Sequence, residues 1–154
     1  MADYTRTLPT LDDSTDAESL AFWAAAHDHK LVMQRCTACN HIRWPIGPVC
    51  TQCLAEEFEW HEMSGKAELH TWVNFYQGFH PEWAKESPYN VALVKLEEGP
   101  IFLSNVVADD DDLAVGIALE LVFDDVTDDV SIPKFKLADS SSWVSRRMSA
   151  FWTR

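Results

Sequence analysis

All four cysteines of this chain lie in one short stretch, Cys36–Cys53, which reads CTACNHIRWPIGPVCTQC. They form two CxxC pairs with ten residues between the pairs. Each CxxC loop presents two thiolates to a shared centre, and the intervening chain folds back to bring the second pair opposite the first. We therefore predict that Cys36, Cys39, Cys50 and Cys53 bind a structural zinc ion. Because four thiolates complete the tetrahedron, the metal has no open position at which it could activate water.

Two other uses of four cysteines compete with zinc. Stable structural disulfides are not expected in a reducing cytoplasm. A thioredoxin-type redox centre normally uses one CxxC at a helix N-terminus in a βαβ setting, whereas this segment has two pairs and reads as a Pro-rich hairpin. His41 follows Cys39 by two residues, but we interpret it as a bystander because four thiolates already fill the site.

The formal net charge is −13, and many of the acidic residues cluster at Asp109–Asp112 and between Asp124 and Asp129. Four thiolates with one Zn²⁺ would lower this charge to −15. Nucleic-acid binding depends largely on Lys and Arg, which release condensed counterions, so we expect no nucleic-acid partner. We interpret the acidic clusters as a solvated surface.

The N-terminal residues, MADYTRTLPTLDDSTDAESL, are acidic and lack the apolar stretch of a secretory signal. No segment approaches the ~20 continuous apolar residues of a membrane span. We therefore expect a cytoplasmic protein without a membrane partner.

The order of patterns divides the chain into five parts: an acidic tail (1–13), a helix (14–30), a zinc ribbon (31–62), an OB-fold domain (63–138) and a basic, aromatic tail (139–154). In the helix, Thr15 and Glu18 have capping-box spacing. Four residues at i, i+3, i+4 and i+7 predict its packing face, and these are Leu20, Trp23, Ala24 and His27.

After the turn at Ser64-Gly65 the sequence alternates as strands do. Five runs are predicted strands: KAELHTWVNFY, NVALVKL, PIFLSNVVA, IALELVF and SIPKFKL. The segment DDDDLAVG between the third and fourth runs predicts a turn or a single helical turn. The fold class that follows is mainly β, with an N-terminal helix, a rubredoxin-like zinc ribbon and a five-stranded OB-fold barrel.

The segment QGFHPEWAKESPY joins the first two of these strands and is unusually aromatic. It either covers one end of the barrel or lines a ligand or partner groove. The C-terminal tail is basic and carries a possible helical stripe that would dock on this barrel or on a partner. The predicted ligand- or partner-lining residues are Trp44, Pro45, Phe79, His80, Trp83 and Tyr89.

No motif in the chain supplies a catalytic group. GxSxG, HExxH and a glycine-rich phosphate loop are all missing, and the six histidines are scattered without metal-ligand spacing. With the four thiols committed to a metal, the sequence predicts a protein with no activity of its own.

The ordered set of motifs resembles the acyl-CoA-associated zinc-ribbon/OB-fold family, known as domain-of-unknown-function family thirty-five. The resemblance rests on CTACNHIRWPIGPVCTQC, SGKAELHTWV, PYNVALVKLEEGPIFLSNVV, DDLAVGIALELVF and PKFKL. With the short helix that precedes them, these motifs span residues 22–137. Asn40 stands where family members often have glycine. Trp44-Pro45-Ile46-Gly47 retains part of the family's aromatic-Pro-Pro-Arg segment.

The resemblance implies a noncatalytic subunit of a hetero-oligomer. Its partner would be a thiolase-like enzyme that transfers acyl groups or cleaves acyl-CoA by a retro-aldol reaction, as in steroid side-chain degradation. The chain would help to form the acyl-CoA site. Two alternatives remain open at this stage, a standalone acyl-CoA-binding module and a zinc-ribbon/OB nucleic-acid binder.

Overall fold

The computed structural model describes residues 8, 11–12, 15–78, 84–85 and 87–139. Its elements confirm the predicted fold class of one helix, a zinc-ribbon region and an OB-type sheet. In chain order they are α1 (Ala17–His27), β1 (Val32–Cys36), β2 (Ile42–Arg43), β3 (Phe58–Glu62), β4 (Lys66–Phe75), β5 (Tyr89–Leu96), β6 (Ile101–Ser104), β7 (Val106–Val107), a 3₁₀ turn (Asp110–Asp112), β8 (Ala118–Asp125) and β9 (Ser131–Leu137).

The start of α1 differs from the predicted capping box of Thr15 and Glu18. The N-cap is Asp16, whose carboxylate accepts a hydrogen bond of 2.8 Å from the backbone N–H of Ser19. This bond lowers the pKa of Asp16, because it stabilises the ionised carboxylate at the positive end of the helix dipole. The sequence TDAES holds two possible caps in succession, and Asp16 is the one used.

The packing face of α1 was predicted only in part. Trp23 packs against the core as predicted, but Leu20, Ala24 and His27 are exposed. The buried residues of the helix are Phe22 and Ala26. The helix sequence AESLAFWAAAH is apolar on almost every side, so more than one face satisfies the helical period. Among the described residues, no helix is long and apolar enough to cross a membrane.

The ribbon is a three-stranded antiparallel sheet in the order β2-β1-β3. Gln34 on β1 pairs with Arg43 on β2 and with Trp60 on β3. Cys36, at the end of β1, pairs with Phe58. The pairing therefore brings the first CxxC to one end of the sheet, beside the segment that carries the second CxxC.

The second sheet has the strand order β6-β5-β4-β8-β9-β7. Its two edge strands, β6 and β7, are consecutive in the chain and are separated only by Asn105. β7 pairs in parallel with β9, whereas the other pairs are antiparallel. The hydrogen-bonded sheet is thus not a closed ring, and the chain through Asn105 joins its edges, as in a partly open OB barrel. The predicted strand PIFLSNVVA is accordingly two strands.

The ribbon and the barrel share one hydrophobic core. Leu31 and Met33 from the ribbon pack in the same buried cluster as Leu69, Leu119 and Phe135 from the barrel. The backbone N–H of Met63 also donates a hydrogen bond of 2.8 Å to the carbonyl of Leu31, just before the barrel begins. Because the two parts share a core, loss of the ribbon should weaken the barrel as well.

A small polar cluster ties the end of α1 to the barrel. The carboxylate of Asp125 accepts hydrogen bonds from the hydroxyl of Ser131 at 2.6 Å and from the His29 ring at 2.7 Å. The His29 ring also stacks on Phe123, with 5.0 Å between ring centres. The Ser131 hydroxyl and then His29 lower the pKa of Asp125 below its ordinary value.

We expect Asp125→Asn to lower Tm at pH 7, since the ionised carboxylate is bound more strongly in the folded state. A carboxyl whose pKa is lower in the folded state stabilises above its unfolded pKa of about 3.9, and this contribution is lost as pH falls through the folded pKa. The Tm difference from the parent should therefore shrink as the pH falls below the unfolded pKa and through the folded pKa. The exposed Asp128 provides the control, because Asp128→Asn removes the same charge and should leave Tm unchanged.

Candidate functional site

The four cysteine side chains meet at one point. The Sγ atoms of Cys36 and Cys53 lie 3.5 Å apart, those of Cys39 and Cys50 lie 3.6 Å apart, and all four lie within 4.8 Å of one another. Zn–S bonds of about 2.3 Å in a tetrahedron place the sulfur atoms about 3.8 Å apart. The donor set and its spacing therefore fit a structural zinc ion.

The two CxxC segments fold in the same way. In the first, the N–H of Cys36 donates to the carbonyl of His41 at 2.9 Å, and the N–H of Asn40 donates to the carbonyl of Cys36 at 2.9 Å. In the second, Cys50 donates to Ala55 at 2.8 Å and Leu54 donates to Cys50 at 3.0 Å. The residue after each CxxC has positive φ, 60° at Asn40 and 63° at Leu54. Asparagine adopts this conformation readily, which fits Asn40 at a position where family members often have glycine, whereas leucine rarely adopts it.

Leu54 gives a prediction about stability, since the left-handed backbone conformation strains a leucine by about 1 kcal/mol and suits asparagine better. Its side chain is 74% exposed and so contributes little packing. We expect Leu54→Asn, which copies Asn40, to raise the free energy of unfolding by about 1 kcal/mol in a urea titration. Leu54→Ala lacks the short polar side chain that can bond to the local backbone, and it should give no such gain. An equal gain for alanine would assign the effect to lost apolar exposure instead.

Backbone N–H groups stabilise negative charge on some of the sulfurs. N–H groups of Cys53 and Gln52 lower the pKa of Cys50 to about 6, and the Gln52 N–H lies 3.4 Å from its Sγ. At Cys39 the N–H of His41 is the largest single influence and lowers the pKa, but the neighbouring thiols of Cys53, Cys50 and Cys36, together with desolvation, outweigh it and the pKa rises to about 12. Without a metal, the cluster therefore disfavours the simultaneous ionisation of several thiols. Zn²⁺ supplies the positive charge that lets all four ionise.

Two of the predicted ligand-lining residues that the structure describes, Trp44 and Tyr89, face different pockets. Trp44 faces an apolar cleft, and the neighbouring Pro45 is exposed and follows a cis peptide bond. Tyr89 stacks on Phe75 at 5.4 Å and lines a different, polar pocket. Phe79, His80 and Trp83 lie outside the described residues, as does most of the basic tail.

The apolar cleft has a volume of about 420 Å³ and lies where helix, ribbon and barrel meet. Trp44 packs on Phe22 of α1 at 5.1 Å and on Phe102 of β6 at 4.9 Å, so it links all three parts. None of the lining side chains is charged. They are Ser19, Phe22, Trp23, Trp44, Ile46, Val91, Phe102, Leu103, Ser104, Asn105, Ile132 and Pro133.

An apolar strip continues from the cleft along the outer face of the barrel. Strand pairing places its members side by side on β4, β5 and β6, since Val73 pairs with Val91 and Leu93 pairs with Leu103. Val73, Ile101 and Leu103 are 50%, 43% and 60% exposed, which is costly for side chains of this size. We use the name apolar strip for Val73, Val91, Leu93, Ile101 and Leu103.

The pocket beside Tyr89 differs in chemistry from the cleft. It has a volume of about 360 Å³ and is lined largely by asparagine and aspartate side chains. These groups bond to the protein itself: Asn74 and the Trp72 indole both donate to Asp110, at 2.6 and 2.9 Å. Asn90 likewise donates to the carbonyl of Val106 at 2.7 Å. The pocket's polar atoms therefore serve the fold.

The described residues bring no nucleophile and base together. His70 is the extra residue in a bulge of β4 and is exposed, so it is not the cross-strand partner that its position in a strand suggested. His29, Asp125 and Ser131 are close, but the serine hydroxyl donates to the aspartate and not to the histidine. A Ser-His-Asp triad needs the serine bonded to the histidine, so this cluster is structural.

Family models match two adjacent parts of the chain. Residues 23–59 match the rubredoxin-like zinc ribbon domain of ChsH2, and residues 60–124 match the C-terminal OB-fold domain of ChsH2. The boundary between the matches falls within β3, the last strand of the ribbon.

Curated relatives agree with these matches. A DUF35 domain-containing scaffold protein of Methanocaldococcus jannaschii is 30% identical over 64% of this chain and 71% of its own length. A protein of the same description from Pyrococcus furiosus is 33% identical over 61% of this chain and 68% of its own length. A probable enoyl-CoA hydratase alpha subunit of Thermomonospora curvata is 34% identical over 77% of this chain. The match spans only 37% of that longer protein.

Solved structures show the same arrangement. The structure of the Ltp2-ChsH2(DUF35) aldolase matches with a TM-score of 0.74 and 29% identity, covering 83% of this chain and all of that one. A DUF35 protein of unknown function from Sulfolobus solfataricus matches with a TM-score of 0.58 over 82% of this chain and 89% of its own, and at 15% identity it supports the fold alone. On the family models, the relatives and the fold together, the chain belongs to the DUF35 family and has the zinc-ribbon and OB-fold architecture of ChsH2.

Proposed function

We propose that this chain is a noncatalytic subunit that binds a thiolase-like enzyme and helps to form its acyl-CoA site. The observation that carries the proposal is the uncharged, aromatic cleft beside the apolar strip, in a chain whose described residues assemble no catalytic group. The zinc ribbon holds Trp44 against the helix and the barrel, so its role in this account is to shape the cleft.

The cleft suits an apolar part of the ligand. Its volume of about 420 Å³ lies within the range of about 300–1,000 Å³ that small-molecule sites occupy. No lysine or arginine lines it, and the chain as a whole carries a charge of −13. The phosphates of coenzyme A would be repelled here, so the partner holds the nucleotide. This chain supplies an apolar wall for the pantetheine arm or the acyl group.

The apolar strip is the surface that the partner would cover. Val91 and Leu103 belong both to the strip and to the cleft lining, so a partner seated on the strip would also close the cleft. Interfaces between subunits bury apolar side chains at their centre and leave charges at the rim. The exposed leucine and isoleucine of β6 fit such a centre.

Relatives support a partner that processes acyl-CoA. The Thermomonospora curvata relative is described as a probable enoyl-CoA hydratase alpha subunit, and the aldolase structure contains ChsH2 together with Ltp2. The reactions we propose for the complex are retro-aldol cleavage or acyl transfer on acyl-CoA, with steroid side-chain degradation as one setting.

Calorimetry separates the proposed subunit from a standalone acyl-CoA-binding module. Decanoyl-CoA is titrated into the isolated chain and into its complex with a thiolase-like protein that co-purifies with it. We expect binding to the complex and none to the isolated chain. The cleft is open on one side, and no lysine or arginine lines it that could bind the phosphates of coenzyme A. Tight binding to the isolated chain would support the standalone module instead.

A further inference from the structure

Arg43 is a buried cation whose guanidinium has almost no partner. The residue is 4% exposed, and only its Nε donates a hydrogen bond, to the side-chain oxygen of Gln34 at 2.8 Å. Its Nη1 and Nη2 atoms, both enclosed, have no acceptor among the described residues. No ion pair of the described residues includes Arg43.

The contacts present do not offset the cost of burying this charge. Burial of an ion in a protein interior is costly unless hydrogen bonds and opposite charge surround it. The guanidinium carbon of Arg43 lies 5.3 Å from the centre of the Phe58 ring, a cation–π contact that offsets only part of this cost. The charge-assisted hydrogen bond from Nε offsets another part, but the N–H groups of Nη1 and Nη2 have no acceptor among the described residues. A negative charge close to Arg43 is therefore needed to account for its burial.

Strand pairing shows which groups share a face with Arg43. Gln34 lies opposite Arg43, and Cys36 follows two residues later on β1, so both side chains project from the same face as Arg43. Phe58 lies opposite Cys36 on the far strand. To reach the Phe58 ring from β2, the arginine side chain crosses over β1, on the face from which the Cys36 sulfur projects.

The carboxylates of the sheet lie elsewhere. Glu59 projects from the opposite face, where it bonds to Arg35 at 2.7 Å. Glu62 shares the face of Arg43 but pairs with Val32, at the other end of β1 from the cysteines. Four thiolates around Zn²⁺ carry a net charge of −2, which is the negative charge built into the end of the sheet beside Arg43.

We infer that Arg43 is the counter-ion of the zinc–thiolate centre, a positioning residue that strengthens zinc binding through charge. The inference concerns the metal and does not depend on the proposed partner. Groups just outside the ligands of a metal typically change its affinity by 10–100-fold.

The test measures the zinc dissociation constant by chelator competition on the full chain. Arg43→Met keeps the length and apolar stem of the side chain but removes the charge, and we expect zinc to bind about 10–100-fold more weakly. Arg43→Lys retains the charge and should recover most of the affinity. Since Arg43 and Cys36 are both buried, the loss of zinc affinity should be similar at low and high ionic strength.

Arg35→Met is the matched control. Arg35 lies on the same strand, next to Cys36, and its loss changes the net charge equally, but its side chain projects from the other face and is exposed. We expect its zinc affinity to stay within about 3-fold of the parent, with any difference removed by salt. Gln34→Met removes the hydrogen bond to Nε without changing charge, and it should cost less affinity than Arg43→Met.

Two results would overturn the inference. The first is a zinc dissociation constant in Arg43→Met equal to that of the parent, which would make the arginine a buried group without an electrostatic role. The other is an equal loss in Arg35→Met or Gln34→Met, which would assign the effect to general charge or to packing. Should Arg43→Met fail to fold in saturating zinc, Arg43→Lys and Arg43→Gln are compared, and equal affinities of these two would contradict the inference.

Discussion

Replacing Cys50 with serine should abolish zinc binding and lower Tm by more than any other single change in this chain. Cys50 is fully buried, and its backbone N–H and carbonyl both form hydrogen bonds within the second CxxC segment. The binding free energy of a structural zinc, about 10–16 kcal/mol, is at the same time folding free energy. Because the ribbon and the barrel share a core, the loss should spread beyond the ribbon.

Metal analysis and thermal melting by circular dichroism check this expectation. Thr51→Ser, a change next to Cys50 that leaves the sulfur ligands in place, is the control and should retain one zinc per chain. One zinc per chain with an unchanged Tm in Cys50→Ser would contradict the four-thiolate site.

Chelation and reduction separate zinc from disulfides in the parent chain. If the pairs Cys36–Cys53 and Cys39–Cys50 held a metal, a strong chelator would unfold the ribbon and a reducing agent would not. If they were disulfides, the reducing agent would unfold it and the chelator would have no effect. We expect the first outcome, since the four sulfurs have tetrahedral spacing.

The second large effect concerns partner binding. Leu103 on β6 is 60% exposed, belongs to the apolar strip and lines the cleft. Leu103→Glu would place a charge at the centre of the proposed interface, where it would be buried without a partner. We expect the dissociation constant for the thiolase-like protein to rise about 100-fold, with Tm of the isolated chain nearly unchanged.

Val107 offers a matched control for Leu103. It is also 60% exposed and also lies on an edge strand, β7, but it does not belong to the apolar strip or to the cleft lining. Val107→Glu should bind the partner as tightly as the parent does when both variants and the parent are compared by interferometry. Normal binding by Leu103→Glu would remove the strip from the interface, and an equal loss in Val107→Glu would show that added negative charge alone weakens association.

The metal site could be predicted from the sequence because its geometry is local. Two CxxC loops fix the distances between sulfurs within a few residues, and the positive φ of Asn40 follows from the same turn. The positions of the strands along the chain could also be predicted from the alternation of apolar and polar residues and from the turns. The face of α1 could not, because Phe22 and its neighbours form an apolar helix on almost every side and only packing selects the buried face.

The cleft was largely beyond sequence reasoning. Trp44 was singled out, but Phe102, Leu103 and Ile132 reach the same cleft from strands far apart in the chain. Their sequence pattern is that of ordinary barrel strands, so nothing local distinguishes them. The burial of Arg43 was missed for a similar reason, since it results from the loop of residues 44–47, whose Gly47 N–H bonds to Gln34 at 3.0 Å.

Acyl-CoA turnover by the reconstituted complex tests the central claim most directly. The thiolase-like protein, this chain and an equimolar mixture are each assayed for cleavage of a 3-hydroxyacyl-CoA and for acyl transfer. The account predicts activity in the mixture, with little in the partner alone and none in this chain alone. Full activity of the partner alone, or turnover by this chain alone, would contradict it.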